Sequence, residues 1–247
     1  KSILSSNDMI KLKNNSIKIY FLNVEQLSVL LDSIDDDCNY KKNIQDQLIK
    51  SIKFISDNNL TLIDYSYENK KIWNDNYQIN NVIILEPCFS ENMINNNENN
   101  KENKIISLFN HIKYRHEFKE KYLKDLDITS FSGFFCNKRR NLLNESKILV
   151  NVHAGLSYKI CELFRIYEAI AHKVIIISQN CYKNKLVSLN KYIYFCEDDD
   201  IKDCIIRVTQ NYNTIYNNLY NENVNKIFEN IELKYKNFFL NITEHYI

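Results

Sequence analysis

Apolar and polar positions follow two periods along this chain. IKIYFLN (Ile17–Asn23) alternates and then runs apolar, the pattern of a buried strand. In IQDQLIKSIKFISDN, Ile44, Leu48, Ile52 and Ile55 recur at helical spacing, which predicts a helix over Ile44–Asn58. TLIDYS (Thr61–Ser66) reads as a strand, and a short helix is expected around Tyr67–Trp73. NVIILEP (Asn81–Pro87) is a further strand, stopped by the only proline. This opening is βαβαβ-like and short. NMINNNENNKENK (Asn92–Lys104) has almost no apolar residue and predicts an exposed loop or linker.

The alternation then restarts. KIISLFNHIKYR (Lys104–Arg115) is expected as a strand whose exit carries His111, Lys113 and Arg115. EFKEKYLKDL reads as a helix, DITSFSGFFCN as a weak strand and a loop through Gly133, and KRRNLLNES as a short basic helix. KILVNVHAG is a strand, SYKICELFRIYEAIAHK a helix and VIIIS a buried strand. KYIYFCEDDDIKDCIIRVTQNY gives a strand, an acidic turn and a helix, and the end to Ile247 reads helical. Strands alternating with helices imply parallel sheets with covered faces. The expected class is α/β, with two Rossmann-like βα layers, the first one short. The expected divisions are a first layer over residues 1–90, an Asn-rich linker over 91–104, a second layer over 105–230 and a closing helix over 231–247.

Composition narrows the partners. Of 247 residues, 45% are apolar and 26% charged, which suits a globular chain with a sizeable core. The net charge of +1 leaves no global basic field, so nucleic acid is not an expected partner. Asn, Ile, Lys and Tyr are abundant while Gly, Pro, Ala and Trp are scarce, as expected of an AT-rich coding genome. The glycosylation sequons at Asn14, Asn59, Asn144 and Asn241 are by-products of that bias. Seven cysteines, an odd number without a CxxC pair, predict free thiols in a reducing compartment and argue against zinc. No apolar run approaches the roughly 20 residues that span a bilayer, and no signal-peptide pattern is read at the start. The expected location is therefore cytoplasmic. The chain opens on Lys1 rather than Met, which keeps an upstream segment in view.

The candidate chemistry gathers on the helix expected over Tyr158–His172. Ile160, Leu163, Phe164, Ile166, Tyr167, Ile170 and Ala171 fall on one apolar face. Glu162, Arg165, Glu168 and His172 form a polar stripe toward solvent or a cleft. Neighbouring ion pairs three residues apart explain that stripe equally well. The loop Ala154-Gly155-Leu156-Ser157 precedes the expected helix start, where free N–H groups and the helix dipole suit phosphate. Gly155 would allow a sharp turn or a close approach to a ligand. Ser157 could equally be a plain N-cap. His153, at a strand end, is a cleft residue by position, and a satisfied structural histidine fits as well. Lys138, Arg139 and Arg140 read as a solvated helix start, and His111 and His116 as surface residues. The Glu197–Asp200 run reads as the acidic first turn of a helix. No G-x-G-x-x-G or P-loop occurs.

ESKILVNVHAG…ELFRIYEAIAHKVIIIS resembles the donor-binding half of GT-B glycosyltransferases, over about Ile105–Ser178. In that pattern a strand ends in a polar loop, a helix carries Glu-Ala-x-Ala, and an apolar strand ends in Ser. Glu168-Ala169-Ile170-Ala171 and Val174–Ser178 fit it. The resemblance is nearest to short glycosyltransferase-like proteins, including those of giant DNA viruses, which would place this chain in a host cytoplasm. It implies transfer of a sugar from a UDP- or GDP-sugar donor to a hydroxyl of a glycan or glycoprotein acceptor. No cofactor or metal is implied, and residues 1–90 would be the acceptor side.

By the same resemblance, Glu168 accepts hydrogen bonds from the donor ribose. His153, Gly155, Leu156 and Ser157 lie under the diphosphate and sugar, Lys113 and Arg115 neutralise the diphosphate, and Gly133 and Phe134 border the base. Glu162 and Arg165 complete the donor set, and His153 is the candidate catalytic residue. Two departures stand out. Ile160 occupies the place of a first glutamate eight positions before Glu168, and Lys173 that of a glycine after the helix. These, with the short first layer, support an alternative: a GT-B-like binding or assembly module that does not catalyse.

Overall fold

The structure is a computed structural model that describes residues 19–23, 26–27, 39–88, 101–102, 104–108, 113–133, 136–156, 158, 160–181, 189–221 and 224–243. It divides into two compact units, Lys1–Leu85 and Glu86–Ile247. In the first, β1 (Tyr20–Leu22), α1 (Asn39–Asn58), β2 (Thr61–Asp64), α2 (Tyr67–Tyr77) and β3 (Val82–Ile84) alternate as the periodicity predicts. The three strands are parallel in the order β1-β2-β3, with Phe21 opposite Leu62 and Leu62 opposite Val82. Leu48 and Ile55 bury the inner face of α1.

Asp64 closes β2 and is fully buried. Its Oδ1 accepts from the Ser66 N–H at 2.9 Å and Asn69 Nδ2 at 3.0 Å. Its Oδ2 accepts from Asn23 Nδ2 and Trp73 Nε1, each at 2.8 Å. Burial pushes the carboxyl pKa up, while the four donors pull it back by favouring the carboxylate. This cluster fixes the end of β1, the end of β2 and the first turns of α2 to one another. Ser66 is the N-cap of α2 and accepts from the Asn69 N–H.

The second unit contains β4 (Ile105–Leu108), α3 (Lys113–Phe118) running into a π-helical turn (Lys119–Leu123), β5 (Ile128–Phe131), α4 (Cys136–Glu145) and β6 (Ile148–Asn151). It continues through α5 (Leu163–Ala171), β7 (Ile175–Gln179), β8 (Ile193–Cys196), a 3₁₀ turn (Asp198–Asp200), α6 (Ile201–Gln210), α7 (Tyr212–Tyr220) and α8 (Val224–Thr243). The five strands are all parallel, in the order β5-β4-β6-β7-β8. This is a doubly wound sheet whose direction of winding reverses between β4 and β6. β6 and β7 are buried along their whole length, as continuous apolar runs demand. Right-handed crossovers from β5 to β6 and from β6 to β7 put α4 and α5 on one face.

Several expectations change here. Lys113 and Arg115 do not lie on the exit of a strand: β4 stops at Leu108, and both sit on α3. The closing helix begins at Val224 rather than at residue 231. The helix expected from Tyr158 begins only at Leu163. Upstream of it Tyr158, Ile160 and Cys161 are all buried, and that spacing fits no single helical face. Ile160 instead forms an isolated β-bridge.

The two faces of α5 also differ from expectation. Phe164 is 42% exposed, whereas Glu168 and His172, placed on the outer stripe, are buried. The neighbouring helix α4 explains this: Arg139 reaches Glu168 at 2.5 Å, and His172 Nδ1 meets Asn144 Oδ1 at 2.6 Å. Arg139 therefore does not belong to a purely solvated basic run. Lys101 Nζ donates to the carbonyls of Leu143, Ser146 and His172 at 3.2, 2.8 and 2.9 Å, tying together the C-terminal ends of α4 and α5.

Glycine scarcity shows in the helix ends. Asn59, Gln78 and Lys173 follow α1, α2 and α5 in the left-handed region, at φ 48°, 56° and 54°. Lys173 N–H donates to Ile170 O and Val174 N–H to Ala169 O, the paired bonds of a Schellman ending in which glycine is usual. Gly133 has φ +69°, so its glycine identity is used. Gly155 does not: its φ lies outside that region, and an added Cβ would make ordinary contact with the Tyr158 ring at 3.7 Å. Among the described residues, no helix is long and apolar enough to cross a membrane.

Candidate functional site

In a doubly wound sheet, the reversal of winding leaves a crevice beyond the carboxyl ends of the two flanking strands. Here those strands are β4 and β6, and Arg115 bridges the segments that follow them. Its Nε donates to Val152 O at 2.9 Å and His153 O at 3.2 Å, and the side chain is buried. Arg115 Nη2 meets Glu162 Oε1 at 3.3 Å. The other oxygen of Glu162 pairs with Arg165 Nη1, which also donates to Asn151 Oδ1 at 2.9 Å. Asn151 closes β6 and donates to Ser178 Oγ in β7 at 3.0 Å. Glu162 is the N-cap residue of α5, so its carboxylate stands at the positive end of that helix.

Gln179, the last residue of β7, organises the other side. Its Oε1 accepts from the His153 main-chain N–H at 2.6 Å. Its Nε2 donates to Tyr114 Oη at 3.1 Å and to Asp198 Oδ1 at 2.7 Å. His153 is only 5% exposed. Its Nε2 lies 3.2 Å from the Asn180 carbonyl, which can only accept, so the ring proton sits on Nε2. Burial lowers the ring's pKa against the pull of Glu162. The neutral ring thus keeps a lone pair on Nδ1, and that atom has no hydrogen-bond partner among the described residues. A buried acceptor without a donor costs roughly 1–3 kcal/mol, which a bound donor group would recover.

The expected site residues separate into groups. Arg115, His153, Glu162 and Arg165 come together in one network. Glu168 lies further along α5 and is held by Arg139. Lys113 is 88% exposed beside Glu117 at 3.9 Å, away from the buried network. Gly155 and exposed Leu156 follow His153 in the same loop, but five residues separate that loop from α5. The helix start expected directly after this loop is therefore displaced: the N-terminus of α5 lies at Glu162. Gly133 is exposed after β5. Phe134 and Ser157 lie outside the described residues, as do His111 and most of the Asn92–Lys104 segment. Among the described residues, no group of three or more His, Cys, Asp or Glu side chains is arranged to hold a metal ion.

The architecture matches solved structures. TarM superposes with a TM-score of 0.55 at 14% identity, over 94% of this chain and 52% of TarM. A Staphylococcus aureus TarM variant in complex with Fondaparinux, alpha-GlcNAc-glycerol and UDP gives 0.54 at 13% identity, over 92% and 52%. The chain has the GT-B fold of glycosyltransferases. It spans about half the length of the TarM structures. An uncharacterised protein of Acanthamoeba polyphaga mimivirus is 24% identical over 221 residues, 87% of this chain and 71% of its own. No protein-family profile matches.

Within this GT-B chain, the residues missed by sequence reasoning are Asn151, Gln179, Tyr114 and Asp198. Asn151 and Gln179 carried a signal. Each is an amide side chain ending a strand that opens on an apolar run, a position that in an open parallel sheet lies at the ligand crevice. Tyr114 and Asp198 carried none, because they reach Gln179 from elements distant in sequence.

Proposed function

We propose that the second unit binds a nucleotide-sugar donor, UDP- or GDP-linked, at the carboxyl ends of β4, β6 and β7. The chain transfers the sugar to a hydroxyl of a glycan or glycoprotein. The observation that carries this reading is the switch point itself: Arg115 spans it, and beside it lies the buried His153 Nδ1, an acceptor awaiting a donor. Sugar and ribose hydroxyls are such donors. Arg115 and Arg165 give the crevice positive charge where a leaving diphosphate develops negative charge as the bond to the sugar breaks. The TarM complex contains UDP, which makes UDP-sugars the first donors to test.

A second reading has its own support. Glu162 is engaged by two arginines and Glu168 by one, so the carboxylates expected to serve a donor already have protein partners. This favours a GT-B-like binding or assembly module without catalysis. A panel of UDP-, GDP-, ADP- and CDP-sugars separates the two. Thermal stabilisation with release of free nucleotide supports the transferase. Stabilisation without turnover supports the module, and no stabilisation by any donor overturns the donor site.

A further inference from the structure

Away from the switch point, two thiols meet at the edge of the sheet. Cys196 is the last residue of β8, and Cys204 is the fourth residue of α6. The two thiols line the same cavity and lie close enough to perturb one another's titration. Cys196 Sγ also lies 3.7 Å from the Tyr194 carbonyl, to which its S–H donates. Arg207 Nη2 donates to Cys204 Sγ at 3.7 Å from one helical turn further along α6. The two sulfurs are therefore inequivalent. Cys196 is held as a thiol by an acceptor, and Cys204 accepts from a cation.

Both cysteines line a cavity of about 570 Å³, together with Arg207, Phe195, Glu197, Asp200 and Asp203. Three carboxylates rim the cavity, which disfavours anionic reagents such as glutathione disulfide by like-charge repulsion. A small uncharged oxidant is not repelled.

We infer that Cys204 and Cys196 form a peroxide-oxidisable dithiol, with Cys204 the attacking sulfur and Cys196 the resolving one. The Cys204 thiolate attacks one oxygen of hydrogen peroxide. An S–O bond forms as the O–O bond breaks and hydroxide leaves, so the sulfur loses two electrons and becomes a sulfenic acid. Cys196 gives up its proton and attacks the Cys204 sulfur, expelling the oxygen as water and forming the S–S bond. One peroxide and two thiols yield one disulfide and two waters. The neighbouring Cys196 and the Arg207 charge bring the Cys204 pKa down to about 7, and the neighbouring Cys204 raises that of Cys196, in keeping with these roles. This inference is independent of the donor site.

The test uses the full chain. Limiting iodoacetamide across a pH series, read by peptide mass spectrometry, should label Cys204 with a midpoint near pH 7. Arg207→Gln should move that midpoint upward. Substoichiometric peroxide should link the Cys196 and Cys204 peptides, reversibly with dithiothreitol. Cys196→Ser should instead leave a dimedone-reactive sulfenic acid on Cys204. A Cys204 midpoint in the ordinary thiol range overturns the assignment. So does peroxide treatment of the unmutated chain that yields no Cys196–Cys204 linkage, a result that does not depend on any variant folding.

Discussion

Arg115 Nε donates to the Val152 carbonyl at 2.9 Å, joining the helix after β4 to the strand exit after β6. The same side chain neutralises Glu162. Arg115→Leu leaves Glu162 with Arg165 alone and takes a buried donor from the Val152 and His153 carbonyls. We expect a loss of about 1–3 kcal/mol in urea denaturation, the usual cost of leaving buried acceptors without a donor. Lys113→Ala, two residues away but exposed, should change stability by less than about 0.5 kcal/mol. Any fall in donor affinity for that variant therefore reports ligand contact and not folding.

Glu168 presents a choice between ligand and scaffold. Its 2.5 Å bond to Arg139 predicts that Glu168→Ala destabilises by about 1–3 kcal/mol. The double-mutant cycle with Arg139→Ala should show favourable coupling. Calorimetry with a bound donor then decides the ribose assignment: unchanged affinity in folded Glu168→Ala means that the carboxylate serves Arg139 alone.

How much of this was legible in the sequence follows from the kind of signal each feature leaves. β6 and β7 each open on three successive apolar residues, and Leu48 and Ile55 repeat at helical spacing, so these elements declare themselves locally. The start of α5 does not. Tyr158, Ile160 and Cys161 are as apolar as the helix that follows, and their tertiary burial is what sets them apart from it. Glu168 and His172 look like a solvated stripe until α4 is laid over them, a relation set by crossover topology across 28 residues from Asn144 to His172. Arg115, His153, Glu162 and Arg165 were legible as residue types on a shared crevice. Their pairing, and the part played by Gln179, depend on contacts that no spacing encodes.

Acid should destabilise the chain through its buried histidines. Burial, with Lys101 and Arg140 nearby, lowers the His172 pKa to about 4, and burial lowers that of His153 as well. An unfolded histidine titrates near 6.5. Between those values the unfolded state binds more protons. Stability is therefore fully present above about pH 6.5 and declines as pH falls toward 4, by roughly 3 kcal/mol for His172. Denaturation midpoints of His172→Gln should fall less steeply over that window. Comparing the two chains cancels the contribution of Asp64, whose raised pKa has the opposite sign.

Lys173 sits at φ 54° where a side chain is strained. Lys173→Gly should raise stability by about 1 kcal/mol, since glycine bears no Cβ penalty in that conformation. Lys173→Ala should give no such gain, which thermal melts of the two variants will distinguish.

Glu86 opens the second unit before its sheet begins. It is buried, accepts a hydrogen bond from Tyr167 Oη at 2.7 Å and lies 4.0 Å from Lys234 Nζ. A residue from the entering strand of chain thus contacts both α5 and α8. For anyone cutting the gene into halves, the Asn-rich stretch is a misleading place for the scissors. A fragment that starts after it leaves behind the carboxylate on which α5 and α8 converge. Evolution faces the same constraint: this unit cannot be shuffled at its low-complexity seam without carrying Glu86 along.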